Sequence, residues 1–361
     1  MAGIELAEAF YHRAVRPLLG DLPHAAALLG AGSEVLGYDD RVSTDHDFGP
    51  RTQLFLPPGV DAAPVHAALD RLPERFEGHP VRFALTGDPR HPRHGVEVST
   101  AAEFFTHRLG EDPVTGMSLA GWLVCPTQLL AGLTGGAVFH DPGGALARRR
   151  AALAWYPDDV WRYALAAAWL RIGQEEAFVG RTGGTGDDLG SRVVAARVVR
   201  DLIRLAFLVE RRWAPYSKWL GRAFGELPVA AALRPHLDSA LDATGWRERE
   251  AALCAAGQVL GEATNHRGLC PPVDPAPRRF YDRDIRVIGG ERFTVALTAS
   301  IVDGELRRLL DGLGDRHGIG RSPGTIDQAV DSVDVLSDPV RSRAAAGLLG
   351  LPGTVSPADD A

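Results

Sequence analysis

Apolar residues recur at helical spacing across residues 4–29, and Pro17 and Pro23 divide that stretch into two predicted helices, since proline fixes its own φ and removes a backbone donor. The pattern then shortens. Residues 52–57, TQLFLP, read as a strand after the Gly49-Pro50 interruption, and residues 61–72, DAAPVHAALDRL, return to a helical period. Residues 81–86, VRFALT, and 95–100, GVEVST, alternate as two further strands, joined by a connection rich in proline and histidine. Beyond about residue 115 strand signals fade and helical periodicity dominates. These elements predict an α+β chain. Residues 1–115 form a mixed sheet with helices, 116–345 a helical-bundle domain, and 346–361 a mobile tail.

Within the helical part, Pro157 followed by Asp158 and Asp159 marks a helix start, and that helix is predicted to run to about Phe178. The glycine-rich segment at 180–190, GRTGGTGDDLG, stands between helices and lacks the Lys-Ser/Thr ending of a P-loop, so it reads as a helix-helix connection. The next predicted helix, 189–213, sets Arg197, Arg200, Arg204 and Arg211 on a narrow arc, which is either a basic wall for a nucleotide or a solvated face. Asp327, Asp331 and Asp334 also fall at helical spacing and read as an exposed helix face without a catalytic role.

Composition narrows the function classes. The 361 residues are 45% hydrophobic and 24% charged, enough for two domains with ordinary globular cores. A net charge of −7 argues against extended nucleic-acid binding. No apolar run is long enough for a membrane span and the N-terminus reads as an amphipathic helix rather than a signal peptide, so a cytoplasmic protein is expected. Cys125, Cys254 and Cys270 are widely spaced and odd in number, which predicts reduced, structural thiols. His91 and His94 flank a proline turn and lack nearby cysteines, so no zinc site is expected there.

The candidate chemistry lies in residues 32–49, GSEVLGYDDRVSTDHDFG. Asp45 and Asp47, two apart on a strand, share one face while His46 and Phe48 take the other, an arrangement suited to Mg2+. Gly32 lets its backbone approach a phosphate, and Ser33 at a following helix start adds a hydroxyl and an amide donor.

A Gly-Ser pair followed by Asp-x-Asp resembles the signature of the nucleotidyltransferase superfamily named after DNA polymerase beta. The segments GSEVLGYDDRVSTDHDFGPR, GGAVFHDPGGALARRRAALAWYPDDVW, DLGSRVVAARVVRDLIRLAFLVERRWAPYSKWLGRAF and GTIDQAVDSVDVL look like a bacterial family of unknown function within it. That family is similar in outline to the kanamycin and lincosamide nucleotidyltransferases. The resemblance implies an N-terminal catalytic domain, a helical domain, and magnesium-dependent transfer of a nucleoside monophosphate from an NTP, ATP foremost, to a hydroxyl on a small molecule held between the domains. Its alternatives are a protein or RNA acceptor, or a nucleotide-binding protein without turnover.

By the same resemblance a third carboxylate comes from a later strand, and Glu97 fits, with Val96 and Val98 facing the core. Asp39 and Asp40 are its rivals, and a solvent-facing glutamate is the plain alternative. Lys218 is the chain's only lysine, and the resemblance assigns a lysine on the helical side to the triphosphate. Glu34 departs from the small or basic residues usual after Gly-Ser, and Arg41 is placed to offset its charge.

Overall fold

The computed structural model describes residues 3–40, 49–85, 88–316 and 319–352, with the backbone alone described at 84–85, 88–91, 315–316 and 319–320. By contacts the chain forms two compact units, one of Met1–Met117 with Gln128–Ala154 and one of Ser118–Thr127 with Trp155–Ala361.

The first unit begins with α1 (Gly3–Phe10), a π-helical stretch (Tyr11–Val15) and α2 (Arg16–Leu19). Pro17 does not divide this stretch: it lies inside the continuous helical run, directly after the π-helical turn, where its missing N–H leaves the ladder one donor short. The second predicted helix is replaced by β1 (Ala25–Leu28). The reason is burial: all four residues are buried, and a short run that is apolar throughout suits a central strand as well as a helix. There follow β2 (Arg51–Leu56), α3 (Ala63–Leu69), the small hairpin β3 (Arg75–Phe76) and β4 (His79–Pro80), β5 (Arg82–Leu85) and β6 (Asp88–Thr100). The histidine- and proline-rich connection is thus part of β6, which pairs with β5 antiparallel.

Beyond α4 (Ala101–Leu109), α5 (Leu119–Val124) and α6 (Thr127–Thr134), an unforeseen strand, β7 (Ala137–His140), joins the sheet before α7 (Ala145–Ala152). The sheet order is β5-β6-β2-β1-β7. It is mixed: β2 and β6 run parallel across the α3 crossover, and β1 is antiparallel to both β2 and β7. On one face Leu54, Leu56, Val96 and Ala26 pack with Phe10, Val15 and Leu69, and Val98 joins the same cluster. On the other, Phe55 meets Phe104 of α4 edge to face at 5.1 Å.

The second unit is helical. Its first long pair is α8 (Asp158–Gly183) and α9 (Asp188–Val209), joined by a hydrogen-bonded turn in which Asp187 caps α9 through Gly190 N at 2.8 Å. The glycine-rich segment is therefore partly helix and partly turn. After α10 (Ser217–Phe224), α11 (Ala230–Asp242) and α12 (Trp246–His266) comes a short hairpin, β8 (Arg278–Arg279) with β9 (Arg286–Val287), and then α13 (Glu291–Ala299), α14 (Gly304–Leu313) and α15 (Ile326–Ala329). Trp169 of α8 stacks on Phe293 of α13 at 4.3 Å and donates from Nε1 to Thr264 Oγ1 of α12 at 3.3 Å, so one buried indole ties three helices.

Asp327 opens α15 but is not part of an exposed acidic face, because its carboxylate is buried. Near the C-terminus Ala345–Leu349 forms a 3-10 turn with Leu349 buried, and residues 353–361 of the expected tail lie outside the described residues. Among the described residues no helix is long and apolar enough to cross a membrane.

Candidate functional site

The Gly-Ser loop leaves the end of β1 beside the start of β2. Gln53 of β2 accepts from Leu29 N at 2.9 Å and donates to Leu29 O at 3.0 Å, which fixes the chain where it leaves the strand. Gly30 N then bonds to Gly132 O at 2.9 Å. Gly30 and Gly32 have φ of +98° and +139°, values that L side chains rarely adopt, so the turn out of the sheet requires glycine. A Cβ on residue 32 would also stand 2.5 Å from Glu34 Oε2. The Glu34 carboxylate thus occupies the space against Gly32, and it is itself paired with Arg51, which also donates to Ala31 O at 3.4 Å.

Ser33 does not begin a helix. Its carbonyl accepts from Tyr38 N at 2.9 Å and Gly37 N bonds to Glu34 O at 3.1 Å, so residues 33–37 are hydrogen-bonded turns without a helix dipole. Asp39, a rival carboxylate, accepts from Gly3 N at 2.6 Å at the start of α1. Asp45 and Asp47, together with Arg41, His46 and Phe48, lie outside the described residues.

Glu97 sits in β6 with Gln53 as its in-register partner on β2, and Gln53 is in turn opposite Ala27 of β1. Partners in register share a face, so the residue that clamps the Gly-Ser loop and Glu97 stand side by side, away from the core-facing Val96 and Val98. Gln53 thus stands between Glu97 and Leu29, the residue from which the chain enters the loop. Arg108 of α4 reaches both Glu97 oxygens, at 3.0 and 3.1 Å, while its guanidinium lies 3.5 Å from the Phe104 ring centroid. With its side chain 44% exposed, Glu97 can exchange that partner for another cation.

A cavity of about 480 Å3 opens at the opposite end of the same strands, among Leu56, Pro57, Thr100 and Pro142, and is separate from the Gly-Ser loop.

Lys218 belongs to the helical unit, exposed in the first turn of α10 with Nζ 4.9 Å from the Trp219 ring centroid. The arginine arc is not a free basic wall. Arg197 faces Glu175 at 3.6 Å, Arg200 pairs with Asp331 at 2.5 Å and Arg204 with Asp327 at 3.4 Å. Arg211 leaves the arc altogether, since α9 ends at Val209 and Arg211 takes φ +55°, with its guanidinium 5.1 Å from the Trp161 ring centroid.

Two features escaped sequence reasoning. Asp327 accepts from Thr127 N at 2.7 Å and is bonded to Thr127 Oγ1 at 3.1 Å, and beside it Arg171 pairs with Asp201 at 2.9 Å and donates to Gln328 O at 2.8 Å. The space among these groups is about 40 Å3, room for water rather than a nucleotide. Glu176 of α8 is the second: its buried carboxylate accepts from the successive amides of Ile288, Gly289 and Gly290. Burial pushes its pKa up to about 8, against the pull of those donors. The three cysteines are free thiols, and burial pushes Cys254 up to about 12, away from reactive range.

A family model described as Domain of unknown function (DUF4037) matches residues 122–220. The match contains α8, α9 and Lys218, whereas Gly32, Ser33, Asp45, Asp47 and Glu97 all precede it. No curated protein matches the chain.

Proposed function

We propose that the chain is a nucleotidyltransferase. The observation that supports this reading is a positive-φ Gly-Ser loop at the end of β1 and Glu97 on β6, both strands flanking β2 in one mixed sheet, with Asp45 and Asp47 in the sequence segment that links that loop to β2. The acceptor is a small molecule with a hydroxyl group, and ATP is the proposed donor. The hydroxyl oxygen attacks the α-phosphorus, the bond from that phosphorus to the β-bridging oxygen breaks, and pyrophosphate leaves with the electron pair. Glu97 takes the hydroxyl proton, for which it must part from Arg108. The loop amides around Gly32 and Ser33 hold phosphate oxygens, and Lys218 is proposed to bind the triphosphate.

The donor chemistry fits magnesium, because Asp45, Asp47 and Glu97 offer the hard carboxylate oxygens that it takes. Bound there, Mg2+ would neutralise charge on the phosphates and the attacking oxygen.

One observation favours a second reading, a nucleotide-sensing protein without turnover: the Glu34 carboxylate, already paired with Arg51, lies against Gly32, and a phosphate reaching the loop must displace it. Incubation with each α-labelled nucleoside triphosphate, Mg2+ and a small-molecule extract separates the two. Label moved to an acceptor, with pyrophosphate released, supports transfer. Saturable nucleotide binding with no labelled product across all four triphosphates overturns it in favour of sensing.

A further inference from the structure

The end of α8, the first turn of α12 and the β8–β9 hairpin enclose an open groove of about 700 Å3 in the helical unit. Arg181, Arg247 and Arg283 line it against a single acid, Asp284. Asp284 is bonded to Arg247 at 2.9 Å, yet both side chains are largely exposed, so water and salt screen the pair and Arg247 can change partner at little cost. The groove differs from the α9 arc in proportion: three arginines share one lining acid here, whereas Arg197, Arg200 and Arg204 each face an acid of their own.

Aromatic rings stand with the charges. Phe178 lines the groove, is 38% exposed and has the Arg181 guanidinium 5.2 Å from its ring centroid, while Tyr281, 83% exposed, is not a lining residue but stands two positions before the lining Arg283 in the hairpin loop. Trp246 forms part of the wall and packs over Gly183, where any side chain would collide with the indole. The floor is open for a related reason: Gly180 and Gly184 line it without side chains.

We propose that this groove binds a short segment of single-stranded nucleic acid. Guanidinium groups neutralise successive phosphates, and exposed rings offer stacking surfaces to unpaired bases, which is the pairing of features that single strands recognise. An acidic peptide would use the arginines but leave Phe178 and Tyr281 in water. The chain's charge of −7 limits the contact to this local groove, because long strands would meet repulsion elsewhere. RNA and DNA present the same phosphodiester and base chemistry, differing at the 2′-hydroxyl.

The test is fluorescence anisotropy of the full chain with labelled oligouridine RNA, the matching DNA strand and labelled polyglutamate, each about ten units long, at about 50 and 200 mM salt. Saturable binding of either strand, tighter than polyglutamate, is expected, and the preferred strand identifies the source. Arg181→Ala and Arg283→Ala should each weaken binding and flatten the salt dependence by about 0.7 in log-log slope. Tyr281→Ala should weaken binding about five-fold or more with the slope unchanged. Arg197→Ala, on the paired arc, should leave affinity as it was. No binding at the lower salt, tighter binding of polyglutamate, or unchanged affinity in Arg181→Ala/Arg283→Ala with an unchanged melting temperature would each overturn the proposal.

Discussion

Glu97, on strand β6, and Glu176, on helix α8, show how burial gives two carboxylates different chemistry. Glu97 projects from a sheet face with its carboxylate half in water, held by one arginine. It keeps an ordinary hydrogen-bonding freedom, and replacing it by glutamine removes charge without changing volume. We expect Glu97→Gln to reduce turnover by about a hundred-fold or more while nucleotide affinity falls far less, as general-base loss predicts. Calorimetric titration alongside a turnover assay reads the two apart, and a rate within about two-fold of the native chain returns Glu97 to a purely solvent-facing role. Glu176 is the opposite case. Burial raises its pKa to about 8, so the folded chain keeps the proton over a range in which the unfolded chain has released it. Its stabilising contribution is complete below the unfolded pKa of about 4.3 and is lost as pH rises through the folded value, with a slope of at most about 1.4 kcal/mol per pH unit. The melting temperature of the native chain relative to Glu176→Gln should therefore fall steadily from pH 5 to pH 8. A constant difference across that range would mean that the proton is not held.

At the scale of elements, alternation made β2 and the end of β6 readable, because Leu54, Leu56, Val96 and Val98 face one core while Gln53 and Glu97 do not. β1 was read as helix since AAAL has no alternation to show, being buried throughout. β7 gave no signal for a different reason: its four residues are all half-buried, and pairing with β1 rather than its own pattern makes it a strand. Helical spacing correctly set Arg197, Arg200 and Arg204 on one side of α9 but could not show that α9 stops at Val209, or that acids far along the chain answer the arginines. Those long-range pairs fasten the α15 segment to α9. Asp327→Ala removes the carboxylate from Arg204 and Thr127 together, and the loss expected from breaking a buried pair is about 3 to 5 kcal/mol. Urea unfolding measures it, with Asp327→Asn as the milder variant. A loss under about 1 kcal/mol for Asp327→Ala would show that this pairing is as weak as a surface one.

For the molecule as a whole, the family match covers α8 and α9 of the helical unit together with the 128–154 segment of the sheet-bearing unit, while the residues proposed for chemistry, Lys218 apart, precede it on the sheet-bearing unit. The proposed site rests on sequence spacing, Gly-Ser and Asp-x-Asp, and of these the described residues include only Gly32 and Ser33. What spacing could not disclose is that Glu34 and Arg51 fill the loop, or that Arg108 already holds Glu97. The decisive prediction joins motif and metal. Asp45→Asn and Asp47→Asn each delete one negative charge at nearly constant volume, so the melting temperature should stay close to native while transfer is abolished. Calcium should support nucleotide binding by the native chain with little turnover, because its larger radius and looser coordination hold phosphate oxygens without the tight geometry of magnesium. Titrating labelled ATP in each ion, then following pyrophosphate release, reads binding and chemistry separately. Native turnover in both aspartate variants, or equal rates in calcium and magnesium, would remove Asp45 and Asp47 from the chemistry and leave the Gly-Ser loop as a binding feature only.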